Sequence, residues 1–380
     1  MKTLLIFFSS IFFTSLFAQK ITTVTLKGEK NIGKREIFIY TPREYSDQSR
    51  NFEVVYVLDA QNREYFDAVH TTIAYQNQGV RPMIVVGIPS SNRNFDFLPK
   101  NKHPETVQEQ YGELGGADIF SDFIENKIMP FIDQNYRTIP TKIGVGYSNG
   151  GTFINYTLLK KPYLFDVIFS IDANFNYDNG LLVDLIKEKG EIHDSIQFYY
   201  TCQTPNSDSW LHRSRQFNNE LKKNFKINIV EELFEKETHF SVYQQAILNG
   251  FKSYFEYQFF NSQNLIKYLK TIEEKGYVTN KNEILRIAIL FKNFGQIFEA
   301  KNLLLSFSNE AAKITGSNPY DLFDKGDLYL SIGLIDLAKK YFLHCDRVLE
   351  EMKNNLTIEK YNFGKKMISE KLKFIETKEQ

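Results

Sequence analysis

Cysteine is nearly absent: the chain of 380 residues holds only Cys202 and Cys345. Two thiols so far apart allow at most one bridge, which excludes a disulfide framework. Neither sits among histidines or carboxylates at the spacing of a zinc site, so no metal and no cofactor is expected. An excess of one charge is also missing. Lysine plus arginine and aspartate plus glutamate number 46 each, and a balanced chain has no electrostatic reason to hold nucleic acid or an anionic membrane surface. Long apolar runs are confined to one place. Leu4 to Phe17 follows Met1-Lys2-Thr3 and ends at Ala18-Gln19-Lys20. The run is too short for a comfortable membrane span, has a basic residue before it and a small residue after it, and reads as a secretory signal over 1–18, cleaved after Ala18. The mature protein is then expected outside the cytoplasm, periplasmic or extracellular, with no membrane association.

Two kinds of apolar pattern fill the next 240 residues. Ile21 to Leu26 and Arg35 to Tyr40 alternate apolar and polar residues, as half-buried antiparallel strands do. Phe52 to Leu58, Met83 to Ile88, Val167 to Ile171, Ile196 to Tyr200 and Ile227 to Phe234 read as further strands, the first two nearly continuous in apolar character. Such runs belong to strands covered on both faces. Helical spacing occupies Ala60 to Tyr75, Ala117 to Ile132 and Gln216 to Phe225. The alternation of strand and helix predicts an α/β fold with a mostly parallel, doubly wound sheet and an antiparallel pair at one edge.

One stretch carries a chemical signature. Ile143-Gly144-Val145 runs into Gly146-Tyr147-Ser148-Asn149-Gly150-Gly151, and Thr152 to Leu159 supplies a helical apolar face. A glycine-flanked serine on a sharp turn from strand to helix is a nucleophile elbow, in which the glycines make room for a strained serine backbone.

Several separated motifs agree with it in order. Tyr56-Val57-Leu58-Asp59-Ala60-Gln61, Ile84 to Ile88, Arg93 with Asp96 and Pro99, Gly115-Gly116-Ala117-Asp118, Pro130 to Thr138 and the elbow together resemble the putative-esterase branch of the α/β-hydrolases over roughly residues 30 to 258. That branch includes enterochelin and feruloyl esterases. The resemblance implies an α/β-hydrolase fold and a serine nucleophile, Ser148. Two departures stand out: Ala60 replaces a usual glycine, and Asn149 follows the serine where an aromatic residue is common.

A serine hydroxyl needs a base to take its proton, and in this fold the partners follow in the order serine, acid, histidine. Of the six histidines, His239 in Glu237-Thr238-His239-Phe240-Ser241-Val242 lies just beyond the last predicted strand, and the family has a similar segment there. For the acid, the order points past the strand ending near Thr201, to Asp208. Asp208 is equally an ordinary N-cap for the helix through Trp210. Glu237 is a second candidate, and a Ser148–His239 dyad without an acid is a third reading. Mechanics and resemblance place the oxyanion donors at the backbone amides of Asn149 and of Ala60 or Gln61. Arg93, Asp96 and Tyr111, in the long connection from Pro89 to Gly116, either line the mouth of the site or, for Arg93 and Asp96, pair to hold the loop.

Beyond residue 260 strand signals stop. Gly326, Gly333, Ala338 and Phe342 follow a tetratricopeptide-like spacing, and Phe291, Gly295, Ala300 and Leu304 repeat it 38 residues earlier. The expected organisation is a signal over 1–18, a hydrolase domain over 19–260 and a helical-repeat region over 261–380. The expected activity is cleavage of a small-molecule carboxylic ester. Acyl transfer or thioester cleavage on the same site, and a non-catalytic protein that binds a partner through its repeats, are the rival readings.

Overall fold

The computed structural model describes residues 20–28, 32–76, 81–103, 112–189, 197–205, 208–224, 227–277, 281–307 and 317–379. The expected signal segment over 1–18 and Tyr111 lie outside the described residues. The chain divides into two compact units: one runs to residue 247 except for residues 139–141, which group with residues 248–380 in the other.

The first unit is built on eight strands: β1 (Lys20–Lys27), β2 (Lys34–Thr41), β3 (Phe52–Leu58), β4 (Ile84–Ile88), β5 (Thr138–Tyr147), β6 (Val167–Ile171), β7 (Phe198–Gln203) and β8 (Asn228–Leu233). Their order across the sheet is β1-β2-β4-β3-β5-β6-β7-β8. From β3 to β8 all neighbours run parallel, while β2 is antiparallel to both β1 and β4. The expected strand set and the antiparallel edge are both present. Burial follows the sequence pattern: every residue of β3, β4, β6 and β7 is buried, whereas β1 alternates exposed and half-buried positions. A strand without an exposed position must be covered on both faces, which is the doubly wound arrangement.

Helices α1 (Arg63–Tyr75), α2 (Arg93–Phe97), α3 (Ala117–Phe123), α4 (Met129–Asn135), α5 (Asn149–Lys160), α6 (Leu181–Lys189), α7 (Asp208–Asn224) and α8 (Val242–Phe259) connect and follow the strands. The single helix expected from Ala117 onward is interrupted by a π-helical turn, Ile124–Ile128, that joins α3 to α4. Pro130 explains the interruption, because it has no N–H for the carbonyl one turn back. Phe120, Phe153 and Phe97 pack edge-on or tilted at centroid distances of 5.5 to 5.8 Å, in one core with residues of β3 and β4. Each is fully buried, and burial of such a ring stabilises the fold by about 2 to 3 kcal/mol.

Apart from the three β5 residues, the described secondary structure of the second unit is helical: the part of α8 beyond residue 247, then α9 (Ser262–Glu274), α10 (Lys281–Asn293), α11 (Ile297–Phe307), α12 (Pro319–Ser331), α13 (Ile335–Glu351) and α14 (Ile358–Glu379). The turn after α10 and the turn after α12 are hydrogen-bonded alike. Gly295 N donates to Lys292 O and Gln296 N to Phe291 O, and 38 residues later Gly333 N donates to Leu330 O and Leu334 N to Tyr329 O. Gly295 and Gly333 have φ of 76° and 84°, the left-handed geometry that closes a helix C-terminus in this motif. Gly326 lies against Phe342, where a Cβ would approach the ring to 2.8 Å. Within this unit, Asp327 accepts from both Lys292 and Lys371. No described helix is long and apolar enough to cross a membrane.

Candidate active site

β5 ends at Tyr147 and α5 begins at Asn149, which leaves Ser148 alone on the turn with φ 56° and ψ −118°. A side chain on a left-handed backbone is strained, and the elbow holds it through several bonds. Ser148 N donates to Ile171 O at 3.1 Å, and Ser148 O accepts from Thr152 N at 3.0 Å and Asn174 N at 3.1 Å. The glycines are unequal in this. A Cβ on Gly146 would come within 2.2 Å of Gly150 O, and one on Gly151 within 2.6 Å of Ala173 Cβ, but one on Gly150 meets nothing nearer than 3.3 Å. Gly146 and Gly151 are therefore the two that the close approach of strand, helix and the β6 turn requires.

His239 arrives on the turn between β8 and α8. Its Nε2 lies 3.1 Å from Ser148 Oγ and its Nδ1 lies 2.8 Å from Asp172 Oδ2. The imidazole is stacked on the Tyr147 ring at 4.8 Å and 24°, with Trp210 at 5.5 Å on another side. Tyr147 OH donates to the His239 carbonyl. Burial pushes the Tyr147 phenol above its ordinary pKa, so it remains a neutral donor and fixes both the ring and the backbone of the histidine. Phe240, beside it, is 93% exposed.

The carboxylate on the imidazole is Asp172, not Asp208. Asp172 directly follows β6 and is fully buried. Its Oδ1 accepts from Thr204 N at 3.0 Å, and its Oδ2 accepts from Thr204 Oγ1 at 2.8 Å as well as facing His239. The end of β7, where the acid was expected, supplies Thr204 as a donor to the acid. Asp208 is instead an exposed residue in the first turn of α7, where a carboxylate complements the helix N-terminus. Glu237 accepts from Ser241 Oγ and does not bond the imidazole, so the second acid candidate and the dyad arrangement are both displaced by Asp172. A carboxylate at the end of an apolar strand was the available signal, Phe169-Ser170-Ile171-Asp172. The expected position after β7 is one strand too late.

For the oxyanion, Asn149 occupies the first position of α5, where the amide has no partner within the helix. The other candidates separate. Ala60 N donates to Ile88 O at 3.3 Å, and its methyl fills the space beside Gly87, so its amide is committed. Gln61 N makes no hydrogen bond among the described residues, while its side chain is held by Asp59 Oδ1 at 2.7 Å and Ser90 N at 2.8 Å. Geometry therefore favours Gln61 over Ala60.

Arg93 and Asp96 do not pair with each other. Arg93 donates to Asp59 Oδ1 at 2.7 Å and to Tyr147 O at 3.2 Å, next to the elbow. Asp96 is fully buried between Arg35, at 3.0 Å, and Ser90 Oγ, at 2.6 Å, and so lines no mouth. Burial holds its carboxyl above the ordinary range despite Ser90 and Arg35. Cys202 and Cys345 are both buried free thiols; burial pushes the Cys345 thiol up to about 11. Among the described residues no group of histidine, cysteine and carboxylate side chains is placed to hold a metal ion.

A serine on a strained strand-to-helix turn, an imidazole and a buried carboxylate, joined at the carboxyl ends of parallel strands, define a site of the α/β-hydrolase type. The family model described as "Putative esterase" matches residues 31–245, more than half of the chain, and the chain belongs to that family. Among curated proteins it is 28% identical over 156 residues to the uncharacterized protein YbbA of Bacillus subtilis (strain 168), covering 40% of this chain and 62% of that one. It is 29% identical over 149 residues to the ferri-bacillibactin esterase BesA of the same organism, covering 35% of this chain and 51% of BesA. In both cases the match spans less than two thirds of the relative. Among solved structures, an IroE-like serine hydrolase from Shewanella oneidensis superposes with a TM-score of 0.62 at 24% identity, covering 75% of this chain and 98% of that one. An uncharacterised protein from Capnocytophaga ochracea DSM 7271 gives 0.53 at 15% identity, covering 94% of this chain and 100% of the other. Both show a shared fold.

Proposed function

We propose that the protein is a serine esterase that cleaves a carboxylic ester through an acyl-enzyme on Ser148. The observation that carries this reading is the continuous hydrogen-bonded line from Ser148 Oγ through His239 to Asp172, at 3.1 and 2.8 Å. His239 Nε2 takes the serine proton as Oγ attacks the carbonyl carbon, and the imidazolium that forms is stabilised by Asp172. The carbonyl oxygen, now negative, is held by the amides of Asn149 and Gln61. His239 returns the proton to the departing alcohol oxygen, then removes one from water as it attacks the acyl carbon, and finally gives that proton to Ser148 Oγ as the acyl–Oγ bond breaks, releasing the carboxylic acid and regenerating Ser148.

The esterase name of BesA, the relative 29% identical over part of the chain, makes a siderophore ester the first substrate class to test, ahead of feruloyl and simple acyl esters. Export through the segment over 1–18 and partner binding by the helical region belong to the same proposal. The test is Ser148→Ala against p-nitrophenyl acetate and against a fluorophosphonate probe. The wild type is expected to hydrolyse the ester and take up the label, and the variant to do neither. A variant as active as the wild type would overturn the reading.

A further inference from the structure

In the reaction above only the backbone amide of Asn149 is used, yet the residue is 5% exposed and its side chain is bonded at both ends. Asn149 Nδ2 donates to Asn94 Oδ1 at 3.1 Å, and Asn149 Oδ1 accepts from Asn174 Nδ2 at 3.0 Å. Asn94 belongs to α2 and follows Arg93, whose guanidinium holds Asp59 and the Tyr147 carbonyl. Asn174 lies two residues beyond Asp172, on the turn that also bonds Ser148 O and Thr152 Oγ1. One carboxamide thus touches both segments that flank the elbow, the one bonded through Arg93 to Asp59 of the Asp59–Gln61 turn and the one carrying the acid.

We propose that the Asn149 side chain is a positioning residue for the oxyanion. Its two directional bonds fix the peptide plane that presents the Asn149 N–H, so that this donor, the Asp59–Gln61 turn and the Asp172 turn keep one mutual geometry. An aromatic residue at this position fills space; a carboxamide fixes direction, because hydrogen bonds weaken steeply off axis. The amide matters most when charge develops on the carbonyl oxygen, so its misplacement raises the barrier to the chemical step and leaves ground-state binding nearly unchanged. The inference rests on the esterase reading of Ser148.

The test uses the full chain with Asn149→Ala, Asn94→Ala and the double variant, reading kcat and KM for p-nitrophenyl acetate and the rate of fluorophosphonate labelling. Asn149→Ala is expected to lower kcat and the labelling rate about 10- to 100-fold, the scale of a displaced catalytic group, with KM within about threefold. Asn94→Ala is expected to lower kcat less, and the double variant to match Asn149→Ala within about twofold, because the two side chains act through one bond. A melting temperature that falls while kcat holds would mark a structural role alone and overturn the proposal. If Asn149→Ala does not fold, Asn149→Ser and Asn94→Ala decide, and unchanged kcat in both overturns it. A wild type that takes no label removes the esterase reading and the inference with it; a labelled wild type with an unaltered Asn149→Ala overturns the inference alone.

Discussion

Replacing Asp172 with asparagine tests the assignment of the acid most directly, because the structure says what the new group would do. In the native site Oδ2 accepts from His239 Nδ1 and Thr204 Oγ1, and Oδ1 accepts from Thr204 N. An asparagine keeps its Oδ1 on the Thr204 amide. Its NH2 then faces the imidazole and the Thr204 hydroxyl, both of which are able to accept. The fold therefore loses little, since no buried group is left without a partner. The imidazole loses a great deal: with Nδ1 accepting, its proton sits on Nε2, the nitrogen that must take the proton of Ser148. A wrong tautomer in a triad costs about 10⁴-fold in kcat, equivalent to ~5 kcal/mol of transition-state stabilisation. Steady-state hydrolysis of p-nitrophenyl acetate by Asp172→Asn, with its melting curve alongside, measures both quantities. Asp208→Asn, an exposed change, is expected to stay within about twofold of wild type and within ~0.5 kcal/mol in stability. Less than a tenfold loss in folded Asp172→Asn, or a large loss in Asp208→Asn, would refute the assignment.

Two further outcomes concern stability. Gly151→Ala drives a methyl to 2.6 Å from Ala173 Cβ and is expected to destabilise the chain by ~1 to 3 kcal/mol, whereas Gly150→Ala, with 3.3 Å of clearance, is expected to be neutral or slightly stabilising; thermal melts of the pair compare them. Burial alone would raise the Asp327 carboxyl, but Lys292 and Lys371 overcome it and hold its pKa below the ordinary value. A carboxylate with a depressed folded pKa contributes stability above the unfolded value near ~4 and loses it as pH falls through the folded one. The difference in melting temperature between wild type and Asp327→Asn is therefore expected to be constant near neutrality and to shrink below about pH 4; a difference that grew on acidification would contradict this.

The sheet was readable because each strand's burial is written in its own residues: continuous apolar runs for β3 and β4, alternation for β1. The elbow was readable because close packing of strand against helix demands glycine, and Ser148 stands between such positions. The structure brings His239, expected from chain order, to Ser148. The contact of Asp172 with that imidazole was not legible, because it is set by which strand ends lie side by side: β6 is the immediate neighbour of β5, and adjacency in the sheet cannot be read from spacing along the chain. Ala60 and Gln61 looked equivalent for a similar reason. Only the bond from Ala60 N to Ile88 O, made across to a neighbouring strand, separates them. The π-helical turn before Pro130 was visible as a proline inside a helical pattern but not as a particular geometry.

The bonds that bolt Ser148 to the 171–174 turn have a consequence for how the site is assembled in time. Ser148 and Asp172 belong to one consecutive strand–helix–strand segment, whereas the imidazole joins Ser148 from 91 residues further along. A growing or partly folded chain that has paired β5 with β6 brings Ser148 to the 171–174 turn before the imidazole has been added. Under the proposed mechanism such a chain stays inert until β7 and β8 have added to the sheet and the turn after β8 has carried the histidine in.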